Sequence, residues 1–292
     1  MKIAITGASG LIGRHIAVLA RQRGHEVISY SRHPPESPDW RRFTPDAPPD
    51  LTGCDGVLNL AGESVAGLWT SSKRRAIRES RILATRRIVE AIQSAPHPPR
   101  VLLNASAVGI YGDTGDSAID ESAPHGAGFL AEVCEAWESE ALRAATASVR
   151  VVLLRTGLVL SPQGGALKAM LPAFRLGLGG RLGNGRQWIP WIHMEDEAAL
   201  ALAALETDSI QGPLNATAPN PVRNSDFTAA LAATLRRPAL FAVPAFALRA
   251  ALGGFAAELL ESRRVIPAAA AKAAFPFRFP DLPAALTSLL SK

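Results

Sequence analysis

Cysteine is nearly missing from this chain of 292 residues: Cys54 and Cys134 stand alone, with no C-x-x-C pair and no repeated spacing. That scarcity argues against a disulfide framework or a cysteine-based zinc site. It points to a reducing, cytoplasmic setting, with both thiols as small buried fillers. No stretch reaches the ~18 uninterrupted apolar residues of a membrane span. An apolar run starts at residue 2, which leaves no room for a secretory leader. Glu63, Glu195 and Asp196 have no partner at a spacing that would define a carboxylate pair or a metal site, so no metal is expected. What remains is the composition of a soluble globular protein, 48% hydrophobic and 20% charged, long enough for one large α/β unit and a smaller lobe.

The net charge of +5 and a pI near 9.7 raise the question of nucleic acid. The densest basic stretch is Lys73-Arg74-Arg75, continuing through Arg78, Arg81, Arg86 and Arg87. It shares its segment with Ile77, Ala84, Ile88 and Ile92 at helical spacing. These charges read as the wet face of an amphipathic helix. No aromatic interleaving and no nucleic-acid-binding module accompany them. An anionic cofactor and a small-molecule substrate are the expected partners, not nucleic acid or membrane.

The residues that carry most information follow the first apolar run, Lys2-Ile3-Ala4-Ile5. They read Thr6-Gly7-Ala8-Ser9-Gly10-Leu11-Ile12-Gly13, a G-x-x-G-x-x-G turn between a strand and a helix predicted over 11–23. Free N–H groups and the positive dipole end of such a helix face an anion, and a second strand at 26–30 completes a dinucleotide-binding βαβ unit. The end of that second strand selects the dinucleotide. An NAD-binding unit places an acid there to accept the ribose hydroxyls, whereas this chain has Ser31-Arg32 followed by His33. A guanidinium fork suits a 2′-phosphate, so the expected cofactor is NADP(H).

Strands and helices alternate through the first 160 residues: strands at 56–62, 100–106 and 150–154, and helices near 70–94 and 128–146. Residues 33–50, rich in proline, read as an exposed loop. Beyond residue 160 the glycines at 164, 165, 177, 179, 180, 183 and 185 break the rhythm around a helix over 166–176. A helix containing Glu195 and Asp196, a strand at 213–216 and a capped helix from Asn224 follow. The predicted fold is α/β, a Rossmann-type doubly wound parallel sheet with a smaller, mostly helical C-terminal lobe. Residues 1–160 form its NADP-binding domain, with sheet completion from about 188–220. Residues 161–292 form the substrate lobe, including a helical part from about 240.

With these pieces placed, the chain resembles the extended short-chain dehydrogenases/reductases. More narrowly, it is similar to an atypical NAD(P)-dependent epimerase-family branch, sometimes labelled as homologues of a cell-division inhibitor. The resemblance is carried by Asn59-Leu60-Ala61-Gly62-Glu63, Ala105-Ser106-Ala107-Val108-Gly109-Ile110-Tyr111-Gly112 and Arg155-Thr156-Gly157-Leu158-Val159-Leu160. Gly177 to Gly185, Trp191-Ile192-His193-Met194-Glu195-Asp196 and Arg264-Val265-Ile266-Pro267 extend it over the whole chain. It implies that Gly7, Ser9, Gly10, Leu11, Ile12 and Gly13 hold the pyrophosphate, and Ser31 and Arg32 the 2′-phosphate. Leu60 and Ala61 would flank the adenine side, Arg81 would contact the cofactor, and Leu160 would close over the nicotinamide. A homodimer is also common among such proteins.

Ordinary members pair a tyrosine with a lysine four residues on, the ammonium lowering the phenol's pKa for proton exchange. By position this chain has Phe129 and Val133 there, and neither moves a proton. Ser106 and Tyr111 remain as catalytic candidates. Tyr111 is either an acid for carbonyl reduction or a packed phenol, and Ser106 bonds either a substrate oxygen or backbone. His193, between apolar neighbours and a helix start, reads as structural. Two functions stay open: an NADP(H)-dependent oxidoreductase or epimerase acting on a small carbonyl or hydroxyl compound, and a non-catalytic dinucleotide sensor or regulatory protein.

Overall fold

A computed structural model describes residues 1–291 and turns the apolar runs into seven parallel strands. In chain order these are β1 (Lys2–Thr6), β2 (Glu26–Ser31), β3 (Trp40–Arg42), β4 (Gly56–Asn59), β5 (Val101–Ala107), β6 (Arg150–Thr156) and β7 (Gly212–Ala216). Their order across the sheet is β7-β6-β5-β4-β1-β2-β3. Leu58 sits between Ile5 and Leu103 in register, and all three are fully buried, as expected of strands covered on both faces.

The four covering helices are α1 (Leu11–Gln22), α2 (Ser71–Ser94), α3 (Phe129–Leu142) and α5 (Met194–Glu206); α4 (Gly165–Arg175) belongs to the second lobe. One face packs Ile16, Ala17 and Ala20 of α1 and Ala198, Leu200, Ala201 and Leu205 of α5 against Ile3, Ile5, Leu103 and Leu154. The other packs Ala84, Ile88, Val89 and Ile92 of α2 against Ala4, Val57, Leu102 and Leu153. Arg75 and Arg78 of α2 are exposed, so the basic segment is amphipathic as its spacing predicts. Because the chain runs outward in both directions from the β1/β4 junction, a crevice opens there beyond the carboxyl ends of the strands.

Two segments differ from the sequence-based expectation. Within the proline-rich loop, Trp40–Arg42 adds an edge strand beside β2, held by Ser29 N–H donating to the Asp39 carbonyl at 2.7 Å and by Phe43 packing edge-on to Tyr30. Of residues 188–220, only β7 joins the central sheet. Trp191–His193 pairs instead with Leu158–Leu160, and Trp188–Ile189 with Val222–Arg223, outside it.

The second lobe has its own core, in which Leu167, Leu171 and Phe174 of α4 meet Phe227 and Leu231 of α6 (Asn224–Leu235). Leu282, Ala285 and Leu286 of the last helix (Leu282–Leu290) complete it. The Asp196 carboxylate, at the start of α5, accepts the backbone N–H groups of Arg278 and Phe279, both at 2.9 Å, and so ties the C-terminal segment to the first domain. No helix among the described residues is long and apolar enough to cross a membrane.

Candidate active site

The carboxyl edge of the sheet has a glycine-lined end and a densely bonded end. At the first, Gly7 turns the chain with φ +69°, and Gly10 N–H donates to the Gly7 carbonyl at 2.9 Å. A β-carbon at Gly7 would stand 2.6 Å from the Leu60 carbonyl oxygen, and one at Gly13 would stand 2.5 Å from the Gly7 oxygen. The turn therefore packs β4 and α1 against each other through bare backbone, which only glycine allows. No side chain caps α1 at Gly10. The first N–H groups of a helix have no partners within it, and here they open toward the exposed Ser9 and Gly10. This is a cradle of the shape and polarity a pyrophosphate needs.

The neighbours expected at the cofactor stand along the same edge. Leu60 and Ala61 are half-buried after β4, and Ala61 N–H donates to Asn59 Oδ1 at 3.2 Å. Asn59 is itself locked, its amide donating to Thr85 Oγ1 (2.8 Å) and Asn104 Oδ1 (2.6 Å) while its oxygen accepts from Thr6 Oγ1 (2.7 Å). This buried network fixes the ends of β1, β4 and β5 relative to one another. Ser31 is buried at the end of β2 and its hydroxyl caps His33 N–H at 3.1 Å, which leaves Arg32 exposed beside the crevice. Arg81 is committed to protein: its Nη1 donates to the carbonyls of Glu63 (2.9 Å) and Ile77 (3.0 Å), so it props the segment after β4. Leu160 is fully buried in the second lobe's core, so its side chain offers no open surface to a nicotinamide.

At the other end the two catalytic candidates are both engaged. Ser106 is 4% exposed and its hydroxyl donates to Glu138 Oε1 at 2.6 Å. Glu138, on α3, accepts a two-pronged bond from Arg155 through Nε (2.9 Å) and Nη2 (2.8 Å), and both partners are buried. Arg155 Nη1 donates to the Tyr111 hydroxyl at 2.9 Å, and that hydroxyl donates onward to Asn215 Oδ1 at 2.7 Å. Asn215, on β7, passes the chain to the Ile266 carbonyl at 3.0 Å. Burial works against the Arg155 charge, but Glu138 more than compensates and holds its pKa above the ordinary range. Burial also raises the Tyr111 phenol. Side-chain alternation along β5 explains the outcome: Ser106 points to α3, while Ala105 and Ala107 are the residues left partly exposed.

The α3 positions where ordinary members carry the proton-transfer pair are apolar in space as in sequence. Phe129 packs against Trp69, 5.0 Å between ring centroids, with the Arg74 guanidinium 4.3 Å from its ring; Val133 is buried. His193 caps α5, its Nδ1 accepting Glu195 N–H at 3.1 Å, and its ring lies 3.9 Å from that of Phe279. Burial lowers its pKa to about 4, so it is a neutral cap. Sequence reasoning did not single out Glu138 or Asn215. The available signal was a carboxylate among Cys134, Trp137 and Ala141 on the apolar stripe of α3, a position that requires a buried cationic partner.

Comparison with known proteins agrees with this geometry. The model of the NAD dependent epimerase/dehydratase family matches residues 3–216, and that of a domain of unknown function, DUF1731, matches residues 243–289. An epimerase family protein of Mycobacterium leprae is 41% identical over 98% of this chain and 94% of its own length. The crystal structure of human epimerase family protein SDR39U1 with NADPH superposes with a TM-score of 0.94 at 35% identity, covering 99% of both chains. A nucleoside-diphosphate sugar epimerase from Corynebacterium glutamicum gives 0.82 at 37% identity, over 99% of this chain and 58% of that one. A Rossmann-type sheet with a glycine cradle, followed by the DUF1731 segment, places this chain in the NAD-dependent epimerase/dehydratase family, among the extended short-chain dehydrogenases/reductases.

Proposed function

We propose that this protein binds NADP(H) and exchanges hydride with a small carbonyl or hydroxyl compound without a tyrosine–lysine proton pair. The observation that carries the reading is the uncapped α1 N-terminus behind Gly7, on a turn packed too tightly against the Leu60 backbone to admit a β-carbon. Gly7, Ser9, Gly10, Leu11, Ile12 and Gly13 would hold the pyrophosphate, mainly through backbone N–H groups, and Ser31 and Arg32 the 2′-phosphate, a reading supported by the absence of an acid after β2. The human relative crystallised with NADPH supports the choice of cofactor. When bound, the nicotinamide supplies or takes up a hydride. The chain's own part is to orient it with Leu60 and Ala61 and to wall the reacting end with Ala107 and Phe129. With Ser106 and Tyr111 bonded inward, the proton that carbonyl reduction takes up, or hydroxyl oxidation releases, is exchanged with solvent.

A second reading, a dinucleotide sensor or regulatory protein, is favoured by one observation: every hydroxyl expected at the reacting end already has a protein partner. Titration with NADPH and NADH, followed by fluorescence, tests the shared part. NADPH should bind more tightly, and Arg32→Ala should erase that preference, while failure to bind either nucleotide would sink both readings. NADPH oxidation across a panel of carbonyl compounds then separates them. Turnover retained in Tyr111→Phe supports hydride exchange without a tyrosine acid. Tight NADPH binding with no turnover across the panel supports the sensor.

A further inference from the structure

Two adjacent arginines at the seam between the lobes have opposite surroundings. Arg263 is buried and two of its three guanidinium nitrogens are paired: Nε donates to the Gly112 carbonyl at 2.8 Å and Nη2 meets Glu258 (2.8 Å) and Glu261. Arg264, one residue on, is half-buried and has no carboxylate within 4.0 Å among the described residues. Its Nε is shielded from solvent and has no acceptor. The guanidinium lies 4.7 Å from the Trp188 ring. A second guanidinium, that of Arg223, lies 4.6 Å from the same ring. The acid beside Arg223, Asp116, is already bonded to it (3.1 Å) and to Trp188 Nε1 (3.0 Å).

The position is built rather than incidental. The Arg264–Val265 strand pairs with Ala118–Ile119, in the segment that follows Tyr111. Two residues later Ile266 receives the Asn215 amide at the end of β7. Trp188 is fixed in turn by its backbone N–H donating to Ser262 Oγ at 3.1 Å. A charged group shielded from water is ordinarily paired, and a guanidinium resting on an aromatic ring without a carboxylate keeps N–H groups free to donate to an anion.

We propose that Arg264, held on Trp188, is an oxyanion site that takes a phosphate or carboxylate group of the substrate. Its role toward a substrate rests on the NADP(H) reading; the anion site itself does not. The test is calorimetric titration of inorganic phosphate into protein saturated with NADPH, so that the cofactor's own phosphate sites are filled, and into free protein. NADPH-saturated wild-type protein should bind one phosphate, and free protein should bind that phosphate besides any taken by the open cofactor sites. Arg264→Gln should weaken it by about tenfold or more, and Arg264→Lys, which keeps the charge and loses the fork, by less. Unchanged phosphate affinity in Arg264→Gln, or no saturable binding to wild type, would overturn the proposal. If Arg264→Gln does not fold, the lysine variant decides, since equal affinity there rejects the fork. Acetate displacing phosphate assigns a carboxylate; acetate failing to displace it assigns a phosphate. Failure of the cofactor reading shows separately, as absent NADPH binding with Arg264-dependent phosphate binding intact.

Discussion

Along one edge of the same sheet, backbone N–H groups at the glycine turn stand free, while a few strands away Ser106, Glu138, Arg155, Tyr111 and Asn215 satisfy one another. The first region is shaped by what is missing, since β-carbons at Gly7 and Gly13 would collide with the backbone that forms the turn. The second is shaped by charge taken out of water, which must be paired in place. The difference separates two kinds of polar residue at the end of a strand. Groups that wait for a ligand are left unpaired and open. Groups that hold the fold together are paired and closed, and Ser106 and Tyr111 belong to that second kind.

The largest expected effect comes from breaking the closed region. Glu138→Ala leaves the Arg155 guanidinium buried without its carboxylate, and removal of one partner of a buried pair costs about 3–5 kcal/mol. Urea denaturation should show a loss of that size. The surviving folded protein should bind NADPH as the parent does, because the network and the cradle share no hydrogen bond. A drop in cofactor affinity as large as the drop in stability would mean that the two regions form one functional unit.

Gly7→Ala breaks the open region. The residue has φ +69°, and the new methyl would meet the Leu60 carbonyl at 2.6 Å, a backbone atom that does not yield cheaply. A stability loss of roughly 2–3 kcal/mol is expected from strain and overlap together. Unlike Glu138→Ala, this variant should also lose NADPH binding in the fraction that remains folded. Retained affinity would move the phosphate site away from the turn.

Much of the fold was legible because the parallel sheet leaves strong marks. Ile3 to Ile5, Val57-Leu58, Leu102-Leu103 and Val151 to Leu154 are apolar without alternation, which is what strands buried on both faces require. The cradle was legible because glycine spacing encodes backbone geometry directly. Trp40–Arg42 was not, since an edge strand of three residues amid prolines needs only a neighbour's backbone and leaves little pattern in its own side chains. The fate of Ser106 and Tyr111 was hidden for a different reason. Their hydroxyls are decided by Glu138 and Asn215, which lie 32 and 104 residues further along the chain, and no local pattern reports such a pairing.

The smallest effect per unit change concerns two buried groups at the start of α5, its cap His193 and Glu197 in its first turn, which neither region uses. Burial lowers His193 to about 4 and raises Glu197 to about 8, the latter offset in part by Thr156 Oγ1 donating to its carboxyl at 2.9 Å. His193 stays neutral when folded, so its contribution is intact above the unfolded value of ~6.5 and is lost as pH falls toward 4. Glu197 stays protonated when folded, so its contribution is intact below ~4.5 and is lost as pH rises toward 8. Between about 4.5 and 6.5 the two slopes oppose each other, because the unfolded chain gains one proton at the histidine and the folded chain keeps one at the glutamate. The combined contribution of these two groups should therefore be nearly flat across that window and decline above it, by at most about 1.4 kcal/mol per pH unit until pH 8. Glu197→Gln should remove the alkaline decline and leave the histidine slope alone, with stability rising from pH 4 to about 6.5 and level beyond. Denaturation midpoints from pH 4 to 9 for both proteins measure this. An alkaline decline that survives the substitution would assign it to groups other than Glu197.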